Sequence, residues 1–457
     1  MVQMDGNTYG KSYEVLTSIF DAGTFVELGA YTKRQGSSDN LEGVVCGYGS
    51  VDGKLVFAIV QDSERTKGAF SQRHARKICD TYSLAIKNGA PVVFVFDSAG
   101  AVVYDGASAL AAYGSVMKCV SEASGIIPQI ALVNGICGGM GAVIASMLDI
   151  TIAIEGTSKL YVNPPFTVGG GAPKDSAAAG NAAYLAQNTA EAYAFVRRLA
   201  CMLPSNNADP SLEDATDDLN RALCFDAASY KADELVKLIA DNGELVQLYK
   251  TYAENFVLGF ARIGGILTGI VAADPEKDGI IDIKSARAIS KLVGFCDSFG
   301  IPVLTLVDSC GLEVSAAAEA QAYASELAKL AYAYTASECA KVTVIVGKAY
   351  GAAFSLLGAK ATGADMVFAL PDATVSVLSP EASVAFVWND RIGQQSREEL
   401  EAEWKKSIAS ATDAADRGEI DDIIDPAELR QRIAASLMML ASKAEGTPAR
   451  RHANMPL

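Results

Sequence analysis

Apolar and polar positions along the chain predict a β-hairpin near the start of each of two halves. Apolar runs surround a glycine-containing turn over residues 44–55, and the same pattern returns over residues 256–267. The glycines keep their register, because Gly47 and Gly259 are 212 positions apart. Apolar strands around a turn that contains glycine are typical of hairpins. The chain therefore contains an internal repeat.

The same order of elements follows both hairpins. An apolar stripe at helical spacing begins near His74 in the first half and near Ser285 in the second. Continuous apolar runs then predict buried strands over residues 91–96, 128–134, 150–154, 302–307, 341–347 and 366–370. Strands that alternate with helices indicate right-handed βαβ units and a largely parallel sheet. The sequence thus predicts an α/β fold that arose by internal duplication.

Glycine-rich turns follow two of the strands in each half. Residues 97–100 and 308–311 form the first pair of turns, and Gly138 and Gly351, which we align with each other, mark the second. Ligands of parallel sheets bind at the carboxyl ends of the strands. A glycine turn beside a helix start presents free backbone N–H groups to a developing oxyanion. Two such pairs predict two oxyanion sites, one for each partner of a transfer reaction.

Composition narrows the function classes. The 457 residues suggest two or three domains, and the net charge of −16 argues against nonspecific binding to nucleic acid. Nine cysteines without a C-x-x-C pair predict reduced thiols in a cytoplasmic protein and no structural zinc site. The amino terminus lacks a signal-peptide pattern, and no apolar run is long enough to span a membrane.

Histidine is scarce, which limits the side-chain chemistry. His74 and His452 are the two histidines of the sequence, so most acid–base schemes and a multi-histidine metal site are excluded. We read His74 as structural. Asp97 and Asp308 precede the glycine turns and are expected to bind backbone N–H groups there rather than to act in catalysis. Backbone dipoles or the ligands must then carry the chemistry.

Gly138 and Gly139 have two readings. They form either a helix start whose N–H groups polarise a thioester carbonyl or a small-residue turn that lets helix and sheet pack closely. The duplicated context favours the first reading. Tyr350 either lines a pocket or packs in the core. Other residues are predicted to contribute backbone N–H groups to the two oxyanion sites. They are Gly100 with Ala101 in the first half, and Gly311 with Leu312 and Gly351 with Ala352 in the second.

The repeat divides the chain into two domains, residues 1–207 and 251–457. The segment 208–250 joins them, and its acidic, amphipathic stretches predict helices from Ser211 and from Ala232. The carboxyl-terminal tail is predicted to be helical. Ser396 and Glu399 form a capping-box pattern that opens one helix, and residues 428–443 form another.

Several motifs together resemble the carboxyltransferase subunits of biotin-dependent enzymes. These enzymes include the β subunits of propionyl-CoA and other acyl-CoA carboxylases and the α subunits of the sodium-pumping methylmalonyl-CoA and glutaconyl-CoA decarboxylases. The motifs span nearly the whole chain. They are Gly43-Val-Val-Cys-Gly-Tyr-Gly-Ser-Val-Asp-Gly53, Ser124-Gly-Ile-Ile-Pro-Gln129, Phe295-Cys-Asp-Ser-Phe-Gly-Ile-Pro-Val303, Lys348-Ala-Tyr-Gly351 and Arg451-His-Ala-Asn-Met-Pro-Leu457.

The resemblance implies two tandem crotonase-like domains of the ββα-superhelix type and a hexamer built as a trimer of dimers. It places acyl-CoA on the first domain and carboxybiotin on the second. The residues that it assigns to the thioester oxygen are Gly100, Ala101, Gly138 and Gly139. The residues that it assigns to the biotin side are Gly311, Leu312, Tyr350, Gly351 and Ala352.

The resemblance further implies a carboxyltransferase that moves a carboxyl group between a short acyl-CoA and biotin on a separate carrier protein, with no metal in this subunit. A biotin carboxylase or a sodium-pump membrane subunit would be the further partner, and the direction is open. Two alternatives remain: a crotonase-type acyl-CoA hydrolase or isomerase, and a non-catalytic scaffold within a carboxylase. Several positions depart from the family pattern, among them Val102 in place of arginine, Asp175 near the place of a histidine, and Cys310 and Leu312 in place of proline and phenylalanine.

Overall fold

The computed structural model describes residues 10–33, 41–210, 212–444, 454 and 456. The chain divides into two compact units, Met1–Ser211 and Leu212–Leu457. Each unit is built around one eight-stranded sheet. The division predicted from the sequence, with a separate connector over residues 208–250, stays a prediction.

Within its described residues, the first unit contains eight strands and seven α-helices. The strands are β1 (Val26–Leu28), β2 (Val44–Val51), β3 (Lys54–Gln61), β4 (Val92–Ser98), β5 (Gln129–Gly138), β6 (Ile150–Ile154), β7 (Lys159–Tyr161) and β8 (Tyr184–Ala186). The helices are α1 (Lys11–Ile19), α2 (Gln72–Asn88), α3 (Ala107–Ala123), α4 (Met140–Met147), α5 (Pro165–Val168), α6 (Pro173–Ala178) and α7 (Thr189–Met202).

The sheet of the first unit has the order β1-β2-β3-β4-β5-β6-β8, and β7 pairs with β5. Strands β2 and β3 form the predicted antiparallel hairpin, whereas β3 to β6 run parallel. Every residue of β4 is buried, as expected for a parallel strand with both faces covered. The carboxyl ends of β4 and β5 therefore lie at the same edge of the sheet.

The second unit repeats this plan. Its strands are β9 (Leu245–Leu248), β10 (Phe256–Ile263), β11 (Ile266–Ala273), β12 (Val303–Ser309), β13 (Lys341–Tyr350), β14 (Met366–Ala369), β15 (Thr374–Ser376) and β16 (Asp422–Ile423). Its helices are α8 (Ala232–Ile239), α9 (Ile283–Ser298), α10 (Ala316–Glu319), α11 (Tyr323–Ala336), α12 (Ala352–Leu356), α13 (Pro380–Val387), α14 (Arg397–Ser407), α15 (Ala411–Asp416) and α16 (Leu429–Leu440).

The two sheets have matching topologies. The second has the order β16-β14-β13-β12-β11-β10-β9, and β15 pairs with β13 as β7 pairs with β5. Short 3₁₀ helices occupy Thr66–Gly68, Val103–Asp105, Asp241–Gly243, Pro275–Lys277, Lys360–Thr362, Asn389–Arg391 and Pro426–Glu428. The predicted α/β fold with an internal duplication is confirmed.

The prediction of a helix from Ser211 was wrong, because the described residues 212–219 are not helical. Leu212 instead makes an antiparallel bridge with Ile266. The carboxylates of Asp217 and Asp218 accept nearby backbone N–H groups. Such local bonds compete with helix formation. The second helix predicted in this segment is confirmed as α8.

Helix ends follow their sequence signals closely. The side chain of Ser71 accepts the His74 N–H at the start of α2. Ser396 and Glu399 form the predicted capping box at the start of α14. The predicted last helix is confirmed as α16. Within the part of the chain that the structure describes, no helix is both long and apolar enough to cross a membrane.

An arginine–aspartate pair holds the hairpin turn in each unit. In the first, Asp21 accepts the N–H groups of Asp52 and Gly53 at 3.1 and 3.3 Å. Arg197 on α7 donates to the same carboxylate at 2.9 Å. This arginine lowers the pKa of Asp21 well below its usual range.

In the second unit, Asp241 accepts the N–H groups of Gly264 and Gly265 at 2.9 and 2.8 Å. Arg430 on α16 donates to Asp241 at 2.7 Å. An equivalent arginine–aspartate pair therefore holds the last helix of each unit against its hairpin.

Candidate active site

The first glycine turn has the same backbone conformation in both units. Gly100 has φ 108° and Gly311 has φ 123°, values that favour glycine over other residues. The N–H of Gly100 donates to Ser98 Oγ at 3.1 Å, and that of Gly311 donates to Ser309 Oγ at 3.2 Å. The amides of both glycines are therefore already bonded within their own turns.

The residue after Gly100 presents an unbonded amide. The N–H of Phe70 donates to the Gly100 carbonyl, and the N–H of Val102 donates to the Phe70 carbonyl, both at 2.9 Å. Because Phe70 bonds to the residues on both sides of Ala101, the Ala101 amide is left out of this bridge. Its N–H has no hydrogen-bond partner among the described residues.

The second unit repeats this bridge around Leu312. The N–H of Ile281 donates to the Gly311 carbonyl at 3.0 Å, and that of Glu313 donates to the Ile281 carbonyl at 3.1 Å. The Leu312 N–H has no acceptor in the described part of the chain. The two turns thus each leave one amide free at matching positions.

The second glycine element caps a short helix in each unit. Gly139 (φ 58°, ψ −126°) precedes α4, and Gly351 (φ 57°, ψ −137°) precedes α12. Their N–H groups donate to the carbonyls of Tyr161 and Ser376, both at 2.9 Å. Gly351 therefore corresponds to Gly139, and our alignment of Gly351 with Gly138 was one residue off.

The equivalent of Gly138 is Tyr350. Gly138 lies opposite Tyr161 in the β5–β7 pair, and Tyr350 lies opposite Ser376 in the β13–β15 pair. A Cβ atom at Gly138 would come within 2.7 Å of the Tyr161 ring, so glycine makes room for that side chain. Tyr350 is half-buried, and burial raises the pKa of its hydroxyl.

The first free helical amides follow the capping glycines. In α4 the Ala142 N–H already reaches the Gly139 carbonyl, whereas Met140 and Gly141 have no acceptor in the described chain. Ala352 occupies the matching first position of α12, and its N–H is likewise without an acceptor there. Ala352 is among the residues predicted from the sequence, whereas Met140 is not.

The two glycine elements of each unit meet at one sheet edge. Ser98 pairs with Cys137 between β4 and β5, and Ser309 pairs with Ala349 between β12 and β13. A Cβ atom at Gly311 would lie 3.6 Å from the Tyr350 carbonyl oxygen. The free amide of each turn and the free amides of each helix start therefore belong to the same edge.

Comparison with known proteins identifies the family of this chain. The family of the carboxyl transferase domain matches residues 11–455. The chain belongs to this family. The resemblance inferred from the sequence is confirmed, and so is carboxyltransferase as the enzyme class.

Two relatives match this carboxyltransferase over almost the whole length of its chain. The α subunit of methylmalonyl-CoA decarboxylase from Propionigenium modestum is 34% identical over 97% of this chain and 92% of its own length. The propionyl-CoA carboxylase β chain of Saccharopolyspora erythraea is 32% identical over 97% and 90%.

The solved structures include the transcarboxylase 12S hexamer with methylmalonyl-CoA and methylmalonic acid bound. It superposes with a TM-score of 0.92 at 29% identity and covers 99% of this chain and 94% of its own. A structure of a single-chain, long-chain acyl-CoA carboxylase, with a TM-score of 0.78 at 22% identity, shares the fold.

Two aspartates connect the glycine elements of the carboxyltransferase. Asp97 accepts the Ile136 N–H at 3.2 Å, and Asp308 accepts the Lys348 N–H at 2.9 Å. A Cβ atom at Gly135 would lie 2.1 Å from Asp97 Oδ1. Both carboxylates bind backbone N–H groups, but those groups belong to the neighbouring glycine element and not, as predicted, to the turn that each aspartate precedes. The amides of the turn glycines bond to Ser98 and Ser309 instead. The two aspartates hold the end of one strand against the glycine element of the next.

The outer oxygens of the two aspartates have different partners. Asp97 Oδ2 accepts Ser63 Oγ at 2.5 Å and lies 3.4 Å from Lys11 Nζ. Asp308 Oδ2 accepts the Tyr230 hydroxyl at 3.0 Å. Burial and the neighbouring Asp308 carboxylate raise the pKa of Tyr230 far above its usual range. Tyr230 is therefore a fixed donor at neutral pH.

His74 is structural, as predicted. Its ring is fully buried against Phe70, with centroids 4.7 Å apart, and it contacts Gln61 through Nε2 at 3.3 Å. Burial, with a smaller contribution from Lys77, lowers the pKa of His74 to about 3. The imidazole is therefore neutral at physiological pH.

Large apolar side chains are exposed to solvent in the segments that follow the glycine elements along the chain in both units. They are Val103, Tyr104, Val162 and Phe166 in the first unit and Val314, Val377, Phe386 and Val387 in the second. Tyr104 is 100% exposed and Val314 is 99% exposed.

Proposed function

We propose that this carboxyltransferase moves a carboxyl group between a short acyl-CoA and biotin carried by a separate protein. The observation that carries the proposal is the pair of matching backbone sites. In each unit a glycine near φ 57° caps a helix beside a second glycine of positive φ, and at least two amides stay free there.

On the acyl-CoA side, the free amides of Ala101 and Met140 hold the thioester oxygen. Loss of the α-proton or of the carboxyl group moves negative charge onto this oxygen. Backbone N–H groups that already point at that position stabilise the charge without reorganisation. Gly100, Gly138 and Gly139 act by shaping the backbone, because the N–H groups of Gly100 and Gly139 have other partners.

On the biotin side, the amides of Leu312 and Ala352 hold the ureido oxygen, while Gly311 and Gly351 shape the backbone. Biotin, when bound, supplies the N1 atom that carries the carboxyl group and exchanges it for the α-proton. The site fits such a group, because two amides at one edge suit a single oxygen. The exposed Val314 and Val377 side chains suit an apolar ring system. Tyr350 lines this side.

Methylmalonyl-CoA and propionyl-CoA are the substrates that we infer. The similarity to a methylmalonyl-CoA decarboxylase subunit and to propionyl-CoA carboxylase chains supports this class. Carboxylation and decarboxylation share one reversible half-reaction. The partner that regenerates biotin, a biotin carboxylase or a sodium-pump membrane subunit, sets the direction.

We also propose a cytoplasmic hexamer, a trimer of dimers, that binds a biotin carboxyl carrier protein. The match to the transcarboxylase 12S hexamer supports this assembly. The exposed apolar side chains of both units supply surface for it.

An exchange assay tests the proposed activity. Methylmalonyl-CoA labelled in its free carboxyl group is incubated with the enzyme and biotin, and label in carboxybiotin is measured. We expect label transfer that requires both ligands. Thioester hydrolysis without transfer would instead support a crotonase-type hydrolase. Failure to bind any acyl-CoA by calorimetry, in a protein that forms hexamers, would support a scaffold.

A further inference from the structure

Two cysteines on adjacent helices of the first unit lie in contact with each other. Cys79 is on α2 and Cys119 is on α3, and the two thiols interact side chain to side chain. Cys79 Sγ also lies 3.5 Å from the carbonyl oxygen of Ser115, one helical turn before Cys119. The contact therefore places Cys79 against the turn of α3 that presents Cys119.

Solvent reaches this pair, unlike several other cysteines. Both Cys79 and Cys119 are of intermediate exposure. Four other cysteines are buried, and burial raises the pKa of each of their thiols: Cys46, Cys137, Cys296 and Cys339. A buried, protonated thiol is inert towards oxidants, whereas an accessible one reacts in proportion to its thiolate character.

The two thiols of the pair differ in proton affinity. The hydrogen bond from Cys79 lowers the pKa of Cys119, and this effect outweighs the opposing effects of burial and of Glu122. The same hydrogen bond raises the pKa of Cys79. Cys119 is therefore the more nucleophilic member, and Cys79 is a thiol positioned beside it. This is the arrangement of an oxidisable cysteine with a resolving partner.

We propose that Cys79 and Cys119 form a reversible redox pair, which a peroxide oxidises to a disulfide that ties α2 to α3. The Cys119 thiolate attacks hydrogen peroxide, the O–O bond breaks, and Cys119 sulfenic acid forms while hydroxide leaves and takes up a proton to become water. Cys79 then attacks the sulfenic sulfur, the S–O bond breaks, and a second water leaves. The two thiols lose two electrons in total, and the peroxide gains them.

The position of the pair gives this modification a consequence. Helix α2 begins two residues after Phe70, whose backbone bonds to Gly100 and Val102. Helix α3 begins after the same turn, and its Tyr113 stacks on Phe70 with centroids 4.2 Å apart. The disulfide joins the two helices that flank the turn at Gly100 and Ala101, on the side proposed to bind acyl-CoA.

Peptide mapping tests the proposal directly. The full-length protein is treated with hydrogen peroxide, blocked with N-ethylmaleimide and digested without reduction. We expect a cross-linked peptide that contains Cys79 and Cys119, and a loss of two of the nine cysteine thiols. Dithiothreitol should restore both thiols.

Three variants sharpen the result. Cys79→Ser and Cys119→Ser should each abolish the cross-link. Cys224→Ser, at the exposed cysteine, should leave it intact. Two outcomes would overturn the proposal: both thiols of the wild-type protein staying free while Cys224 oxidises, or Cys119 progressing to sulfinic acid without a cross-link.

Discussion

Both units hold their hairpin turn with an equivalent arginine–aspartate ion pair, but the pair of the second unit is more deeply buried. Arg430 is fully buried, whereas the side chain of Arg197 is 24% exposed and also pairs with the more exposed Asp52. A buried charge that loses its partner cannot turn to water, so the deeper pair is the one whose disruption destabilises more. Equivalent contacts in the two halves of a duplicated fold therefore do not contribute equally to stability.

The two sheet edges that carry the glycine elements differ in the opposite sense. Their backbones match, while the side chains that support them have diverged: Ser63 and Lys11 hold Asp97, and Tyr230 holds Asp308. Chemistry based on amides tolerates such divergence, because the backbone conformation is what must be kept. Each unit could then adapt its side chains to a different ligand.

The largest expected effect is on stability. Arg430→Met leaves Asp241 buried without its cation and should lower the free energy of unfolding by about 3–5 kcal/mol. Urea titration followed by circular dichroism measures this change. The matched variant, Arg197→Met, should cost clearly less, and equal losses would contradict the difference in burial.

Replacing a capping glycine should abolish transfer. Gly351→Val puts a Cβ at φ 57° and 3.3 Å from the Val377 carbonyl, which displaces the Ala352 amide. We expect label exchange to fall by about 10²–10³-fold, the usual cost of one lost oxyanion donor. The dissociation constant for acyl-CoA, measured by calorimetry, should stay unchanged.

The control for this variant is Gly418→Val, which has φ 79° and no atom within 4 Å of the added Cβ. It carries similar backbone strain outside both sites and should keep its exchange activity. Full activity in Gly351→Val would mean that the reaction needs the first site alone, as a hydrolase or isomerase would.

Removing one hydroxyl should have a moderate effect. Tyr230→Phe deletes the donor to Asp308, and exchange should fall about tenfold, in line with one lost hydrogen bond to a charged group. Acyl-CoA binding should not change. Ser63→Ala is the counterpart in the first unit and should cost less, because Lys11 still faces Asp97. The reverse order would show that Tyr230 does not position the biotin side.

The smallest effect is a pH dependence confined to the first unit. The pKa of His74 is about 3 in the folded protein, so an unfolded chain, with its ordinary histidine pKa, binds the proton first. Stability should therefore fall as the pH drops below the unfolded value.

Between pH 7 and pH 5.5, the free energy of unfolding of the wild-type protein should fall by about 1 kcal/mol more than that of His74→Gln. Thermal unfolding at several pH values measures the difference between the variant and the wild-type protein. Ser285 occupies the matching position in the second unit, so that unit lacks this source of acid sensitivity. Parallel pH profiles of the two proteins would contradict the role of His74.

Local signals in the sequence were reliable where a short stretch decides the outcome. The capping box at Ser396, the hairpins and the buried strands follow from adjacent residues alone. The helix expected from Ser211 failed, because Asp217 and Asp218 bond to the backbone locally. The duplicated glycine turns were visible because the same sequence pattern follows Asp97 and Asp308.

The sequence by itself determined the fold class, the duplication, the family and the glycines whose positive φ shapes both sites. Only the tertiary structure decided which amides are free. The bonds that occupy the Gly139 and Gly351 amides come from Tyr161 and Ser376, more than twenty residues further along the chain. Met140, Tyr230 and the Cys79–Cys119 contact became visible for the same reason, since strand and helix packing brings together groups that no local pattern connects.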